Sequence, residues 1–173
     1  MATDDVVWGY ELEYYINIGA AESPQWVKVT ELLTWEQAGE AKTYEPAWID
    51  RKNPPTLTYG RSCTINMEKD TVRGAELEGW VMEHRNDLNV PCEIVKVYTW
   101  MAAGEGKVLA DMAAFSFTPT PHSNASQGQP VMTAGALNMT GEDWAEGTWD
   151  ATAKTFAPAP APEPEPEQPP AQG

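Results

Sequence analysis

The sequence predicts a mostly β (α+β) fold, a β-sandwich with one flanking α-helix. Three observations predict it. Stretches in which apolar and polar residues alternate recur along the chain, one stretch alone has helical spacing, and the strand–helix–strand alternation that builds a parallel sheet does not occur. The last of these removes the doubly wound nucleotide-binding folds. At 173 residues and 19.0 kDa the chain suits one domain, and its eight Trp, six Tyr and three Phe supply large apolar surfaces to bury.

Taking the elements in order, Tyr10, Leu12, Tyr14, Ile16 and Ile18 fall on alternate positions with Glu11, Glu13 and Asn17 between them, which predicts a half-buried strand that Gly19 breaks. Trp26, Val27 and Val29 suggest a second short strand. Residues 31–37 read as a turn of helix stopped by Gly39. The polar stretch 41–55, with Pro46, Pro54 and Pro55, reads as a long excursion. Leu57, Tyr59, Cys63, Ile65 and Met67 then alternate with Thr58, Gly60, Ser62, Thr64 and Asn66. This is the clearest strand signal in the chain, with Arg61 its one exception.

Asp70 or Thr71 can cap a helix whose apolar stripe is Leu77, Trp80, Val81, His84 and Leu88, ended by Asn89 and Pro91. Residues 94–100 and 108–118, β-branched and aromatic, flank a Gly-containing turn at 103–106 and predict a hairpin. A polar, Pro-containing connection over 119–129 leads to a strand over 131–139, and GEDWAEGTWDATAKTF closes the fold with a final strand. From Ala157 the chain reads APAPAPEPEPEQPPAQG, which has almost nothing to bury and is expected to be a disordered, polyproline-like acidic tail. The expected division is a β-sandwich domain over 1–156 and the tail over 157–173.

Eleven basic against 26 acidic residues give a formal charge of −15, which repels phosphate backbones and anionic lipid and disfavours tight nucleic-acid binding. The same charge suits a conduit past which DNA slides without adhering. Cys63 and Cys92 are too few and too far apart for a disulfide framework and are expected as buried free thiols. The opening MATDDVVWGY lacks a basic region followed by an apolar stretch, and no apolar run approaches the ~20 residues that cross a bilayer, so synthesis in a cytoplasm and no membrane contact are expected. The sequons at Asn124 and Asn138 are read as chance matches.

Catalytic and metal-binding chemistry has little to work with. The two histidines are His84, on the apolar stripe of the helix, and His122, in a Pro-rich stretch, and no phosphate, dinucleotide, zinc or nucleophile-elbow motif is present. No enzymatic activity, cofactor or metal is expected. The carboxylates are read as solvated surface charge, since nothing singles out one pair for acid–base work. Trp144 and Trp149 with Tyr98 and Trp100 leave open a sugar-stacking platform. The competing reading is therefore a Trp-rich carbohydrate-binding β-sandwich module with a Pro-rich linker.

Four stretches, in this order, carry a resemblance: PQWVKVTELLTW; YEPAWIDRKNPPTLTYGRSCTINME; RGAELEGWVMEHRND; and VLADMAAFSFTPTPHSNASQGQPVMTAGALNMTG. Over about residues 8–150 the chain resembles the tail tube (major tail) proteins of long-tailed bacteriophages, with an order of features that leans toward the non-contractile type. The resemblance implies a structural virion protein made in the host cytoplasm. Six copies would close a ring, strands of neighbouring subunits would extend into a multi-subunit β-barrel, and rings would stack into a tube that conducts DNA during ejection. It also implies tape-measure and terminator proteins as partners, and an inter-ring contact loop, for which Tyr44, Trp48, Ile49, Pro54 and Pro55 are the candidates. The Pro/Glu-rich tail is a departure from the family's core, as is the lack of an appended immunoglobulin-like domain.

Overall fold

The structure, a computed structural model, describes residues 6–46, 52, 55–141 and 143–160. A 3-10 turn over Gly9–Glu11 precedes β1 (Leu12–Asn17), β2 (Trp26–Lys28), β3 (Leu32–Tyr44), β4 (Leu57–Asp70), α1 (Glu76–Glu83), β5 (Val90–Gly104), β6 (Lys107–Asn124), β7 (Met132–Met139), β8 (Ala145–Asp150) and β9 (Thr155–Pro158). All strand pairs are antiparallel. They form one open sheet in the order β2-β1-β5-β6-β7-β4-β3, with β8 attached to β6 and β9 to β8. The mostly β reading with one helix is therefore correct, and the layers of the sandwich are parts of one continuous sheet.

The sheet curls until its two ends meet face to face. Tyr14 of β1 stacks on Trp35 of β3 with ring centroids 3.9 Å apart, although those strands share no ladder. The interior of this roll holds Ile16, Ile65, Met67, Ile94, Phe115, Phe117 and Leu137. Helix α1 lies against it through Leu77 and Val81, and Trp80 stacks on Phe117 at 5.6 Å. Burying Leu77 and Val81 stabilises that docking by about 1.5–3 kcal/mol each.

Strand β6 is a fork. Along one edge its residues 115–124 pair with β7, while residues 107–112 pair with β8. The β8–β9 hairpin therefore turns away from the roll and covers the opposite face of β1, β5 and β6. There Tyr15, Trp26, Val95, Val97, Ala110 and Trp149 make a second core, with Trp149 fully buried and 4.6 Å from the Tyr15 ring.

Several sequence expectations are corrected. Residues 32–37 are strand and not helix, because pairing with β4 outweighs local helix propensity. Residues 41–44 extend the same strand, so the first four residues of the expected loop are paired with β4; residues 47–51, 53 and 54 of it lie outside the described residues. Tyr10 lies in the 3-10 turn and is 79% exposed, and β1 is buried on both faces rather than one, since Tyr15 and Asn17 face the second core.

The helix is shorter than its stripe. Its N-cap is Ala75, because Asp70 belongs to β4 and the Thr71 hydroxyl lies 2.9 Å from that of Thr133. Leu88, beyond the helix's end at His84, is 75% exposed. Strand β6 continues through Pro119 and Pro121 to Asn124. Beyond Phe117 it has lost β5 and is an edge on that side, where the missing proline N–H costs no ladder bond. The closing stretch gives two strands rather than one. Their turn is held by the Asp150 carboxylate, which accepts bonds from the Thr152 and Ala153 N–H groups at 2.9 Å each. Ala157 and Pro158, expected as tail, lie in β9.

Candidate assembly interface

Strand β4 pairs with β7 only over residues 64–70, whereas its pairing with β3 continues to Tyr44↔Leu57. Residues 39–44 and 57–63 thus form a two-stranded arm that projects beyond the end of β7 by roughly 20 Å, at about 3.3 Å per residue. Every side chain of β3 from Glu36 to Tyr44 is exposed. An isolated pair of strands is marginally stable in water, and β3 also presents an outer edge that no described strand covers. Both features call for a neighbour.

Of the predicted contact residues, Tyr44 ends β3 with 57% of its surface exposed, and Pro55 is exposed just ahead of β4. Trp48, Ile49 and Pro54 lie outside the described residues. The arm carries Lys42, Lys52 and Arg61, all exposed.

The outward face of β3, β4, β7 and β6 has a distinct chemistry. Cross-strand register puts Glu36, Asn66, Ala136 and Thr118 in one row, Ala38, Thr64, Asn138 and Ser116 in the next, and Glu68, Ala134 and Thr120 beyond them. Over these three rows the face therefore offers small and polar side chains with carboxylates, and Met132 is the large apolar side chain in the row beyond them. Its carboxylates give it a charge of the same sign as phosphate.

The sugar-stacking platform does not form. Trp149 is fully buried, and Trp144 packs against Phe115 with its ring under the Lys96 ammonium at 4.5 Å. Among the described residues no group of three or more His, Cys, Asp or Glu could hold a metal ion. His84 Nδ1 lies 2.9 Å from Asp87 Oδ2 with its ring against Trp80, which is a helix-end contact, and His122 is exposed with φ 54°. Both thiols are free and buried. Burial pushes the Cys92 thiol up to about 12, with the Glu93 carboxylate adding to it, and burial likewise raises Cys63.

Two features were missed from sequence. One is a buried polar cluster in which the Lys69 ammonium of β4 donates to Glu78 of α1 and to the Asp70 carbonyl at 2.7 Å, while Thr133 Oγ donates to Glu78 at 3.1 Å. Its only sequence signal is that Lys69 continues the inward alternation of Cys63, Ile65 and Met67. The other is an open groove of about 540 Å³ between the β5–β6 hairpin and the β8–β9 hairpin.

No protein-family model matches the chain, and no curated protein sequence matches it significantly. Solved structures do. The SPP1 tail tube, determined by solid-state NMR and cryo-EM, superposes with a TM-score of 0.63 at 12% identity, covering 82% of this chain and 78% of that one. The tail of an empty GTA particle, refined with C6 symmetry, superposes with a TM-score of 0.55 at 14% identity, covering 79% and 96%. The class that the rolled sheet, flanking helix and projecting arm define is thus the tail-tube fold. The resemblance to phage tail tube proteins carried by the four sequence stretches is matched by the three-dimensional structure.

Proposed function

We propose that this chain is the structural subunit of a phage tail tube, in which copies close into hexameric rings, the rings stack, and the bore conducts DNA during ejection. The observation that carries the reading is the arm: a long strand pair with a free edge, whose β3 residues 36–44 are all exposed, on a body of tail-tube fold. Heterologous contacts that close by rotation make rings, and an exposed edge provides such a contact when a neighbour continues the sheet. Six-fold closure draws support from the C6 symmetry of the GTA tail.

The acidic, small-residue face of β3, β4, β7 and β6 would line the bore, and the net charge of −15 would keep passing DNA from sticking. The tip of the arm, with Tyr44, Trp48, Ile49, Pro54 and Pro55, would contact the next ring, and tape-measure and terminator proteins would complete the tail. In this reading the protein is made in the host cytoplasm, resides in the virion and catalyses nothing; among the described residues no helix is long and apolar enough to cross a membrane. The Pro/Glu-rich tail would decorate the body without building the wall.

Negative-stain electron microscopy of the purified chain over a concentration series, with mass photometry, tests the proposal. Rings or tubes with a central channel are expected. A monomer that persists at high concentration would overturn it. Replacing Trp48 and Ile49 with polar residues should leave rings or monomers in place of tubes.

A further inference from the structure

The groove between the β5–β6 and β8–β9 hairpins is apolar along much of its wall, where Tyr98, Met101, Leu109 and Pro158 line it, yet it holds two carboxylates, Asp111 and Glu146. In the ladder of β6 and β8 these two are direct partners. Their side chains share one face, with Cβ atoms about 5 Å apart, and like charges so placed repel each other. Asp111 is only partly compensated: Tyr98 Oη donates to it, and the Lys96 ammonium stands 3.7 Å away. Glu146 has no ion-pair partner among the described residues. Burial and the Asp111 carboxylate raise the Tyr98 hydroxyl, and Glu146 adds to that shift, so the negative field of the pair reaches the groove wall. A paired carboxylate in an apolar groove is suited to a cation on an apolar or aromatic support.

The chain itself carries one. Residues 41–62 hold Lys42, Arg51, Lys52 and Arg61 against Glu45 and Asp50, a net of +2 within a chain of −15. The same segment contains Tyr44, Trp48, Ile49 and Leu57. No other part of the sequence combines clustered positive charge with large apolar side chains. The hydrogen-bond grid also places arm and groove at one end of the sheet: residues 57–63 of β4 and residues 107–114 of β6 both run past the Met139 end of β7. A contact between two different surfaces of neighbouring copies is heterologous, the kind that builds rings where the rotation closes and stacks or filaments where it does not.

We infer that the basic, aromatic arm of one copy docks in the acidic groove of a second copy, with an arm cation seated between Asp111 and Glu146. This rests on the tube reading and names the surface that receives the arm.

The test is a charge exchange. The arm variant is Arg51→Glu/Lys52→Glu, the groove variant is Glu146→Arg, and each is compared with wild type by mass photometry and electron microscopy after circular dichroism shows native folding. Each variant alone is expected to need an at least tenfold higher concentration to assemble, since a lost contact of about 1 kcal/mol is roughly fivefold and reversal adds repulsion. An equimolar mixture of the two variants is expected to assemble near the wild-type concentration, because each reversed arm then finds a reversed groove. Variants that assemble as wild type does, or that fail alone and fail equally when mixed, overturn the groove assignment while leaving the tube reading intact. A wild-type chain that forms no rings overturns the tube reading itself.

Discussion

Removing the Lys69 ammonium tests how the helix is held to the sheet. Lys69 is 1% exposed and Glu78 is buried against it, so Lys69→Met leaves a carboxylate inside the protein with only Thr133 Oγ at 3.1 Å and the Val72 N–H at a long 3.4 Å. Breaking a buried pair from one side costs about 3–5 kcal/mol, because the remaining charge has been taken out of water without compensation. Replacing both groups, as Lys69→Met/Glu78→Leu, removes that stranded charge; the Asp70 carbonyl, the Val72 N–H and the Thr133 hydroxyl, all neutral groups, each lose a partner, and Thr133 keeps the Thr71 hydroxyl at 2.9 Å. The double variant is therefore expected within about 1–2 kcal/mol of wild type. Urea unfolding followed by tryptophan fluorescence measures both, with Trp80 on α1 reporting helix docking. A single variant that loses less than about 1 kcal/mol, or a double variant as unstable as the single, would refute the account of a dehydrated pair.

Gly135→Ala drives a Cβ into Phe117 Cε2, and that ring is fully buried under Trp80. A loss of about 1–3 kcal/mol is expected, reduced when Phe117→Leu is added, and a neutral single variant in urea unfolding would contradict it. Burial holds Tyr14 and Tyr15 at about 12, up from 10.0, and Cys92 at about 12, up from 9.0. The folded state thus retains protons that the unfolded chain gives up, so the stability these groups contribute is whole below about pH 9 and declines as pH rises toward 12. Urea midpoints against pH check this, and tyrosinate absorbance rising fully near the ordinary value in the folded protein would count against it. Native Cys92 is expected to resist thiol reagents at neutral pH and to react on unfolding, as labelling with mass spectrometry would show.

What could be read from sequence follows from how each strand is buried. Strand β4 was legible because one of its faces is core and the other wet, so Cys63, Ile65 and Met67 stand out. The β5–β6 hairpin was legible because its turn needs left-handed backbone at Gly104, Glu105 and Gly106, with φ of 83°, 51° and 74°. Strand β3 was not. Nearly all of its residues are exposed on both faces, so its side chains alternate in nothing and its sole determinant is a ladder with a distant segment. Strand β1 misled for the opposite reason, since Tyr14, Tyr15, Ile16 and Asn17 are all buried between two cores. The arm's aromatic and basic composition was visible, whereas the groove was not: Asp111 and Glu146 are remote in sequence and meet only through the register of β6 with β8.

The free edge and the net charge are two sides of one problem. An uncovered strand of 13 residues is a template for indiscriminate pairing, and proteins that carry such edges blunt them with charge. Here the blunting is done by Glu36 and Glu40 on the edge strand and by the surplus acid of the whole body. Between two bodies that repulsion is long-ranged and falls within a Debye length of about 10 Å at 0.1 M salt. A contact through an apolar groove is short-ranged and less screened, so it survives where the body repulsion has faded. A copy approaching in the wrong orientation brings acid to acid, and one that presents its arm brings the chain's concentration of positive charge. In the proposed assembly the same acidity would thus select the one orientation in which the next subunit covers the edge.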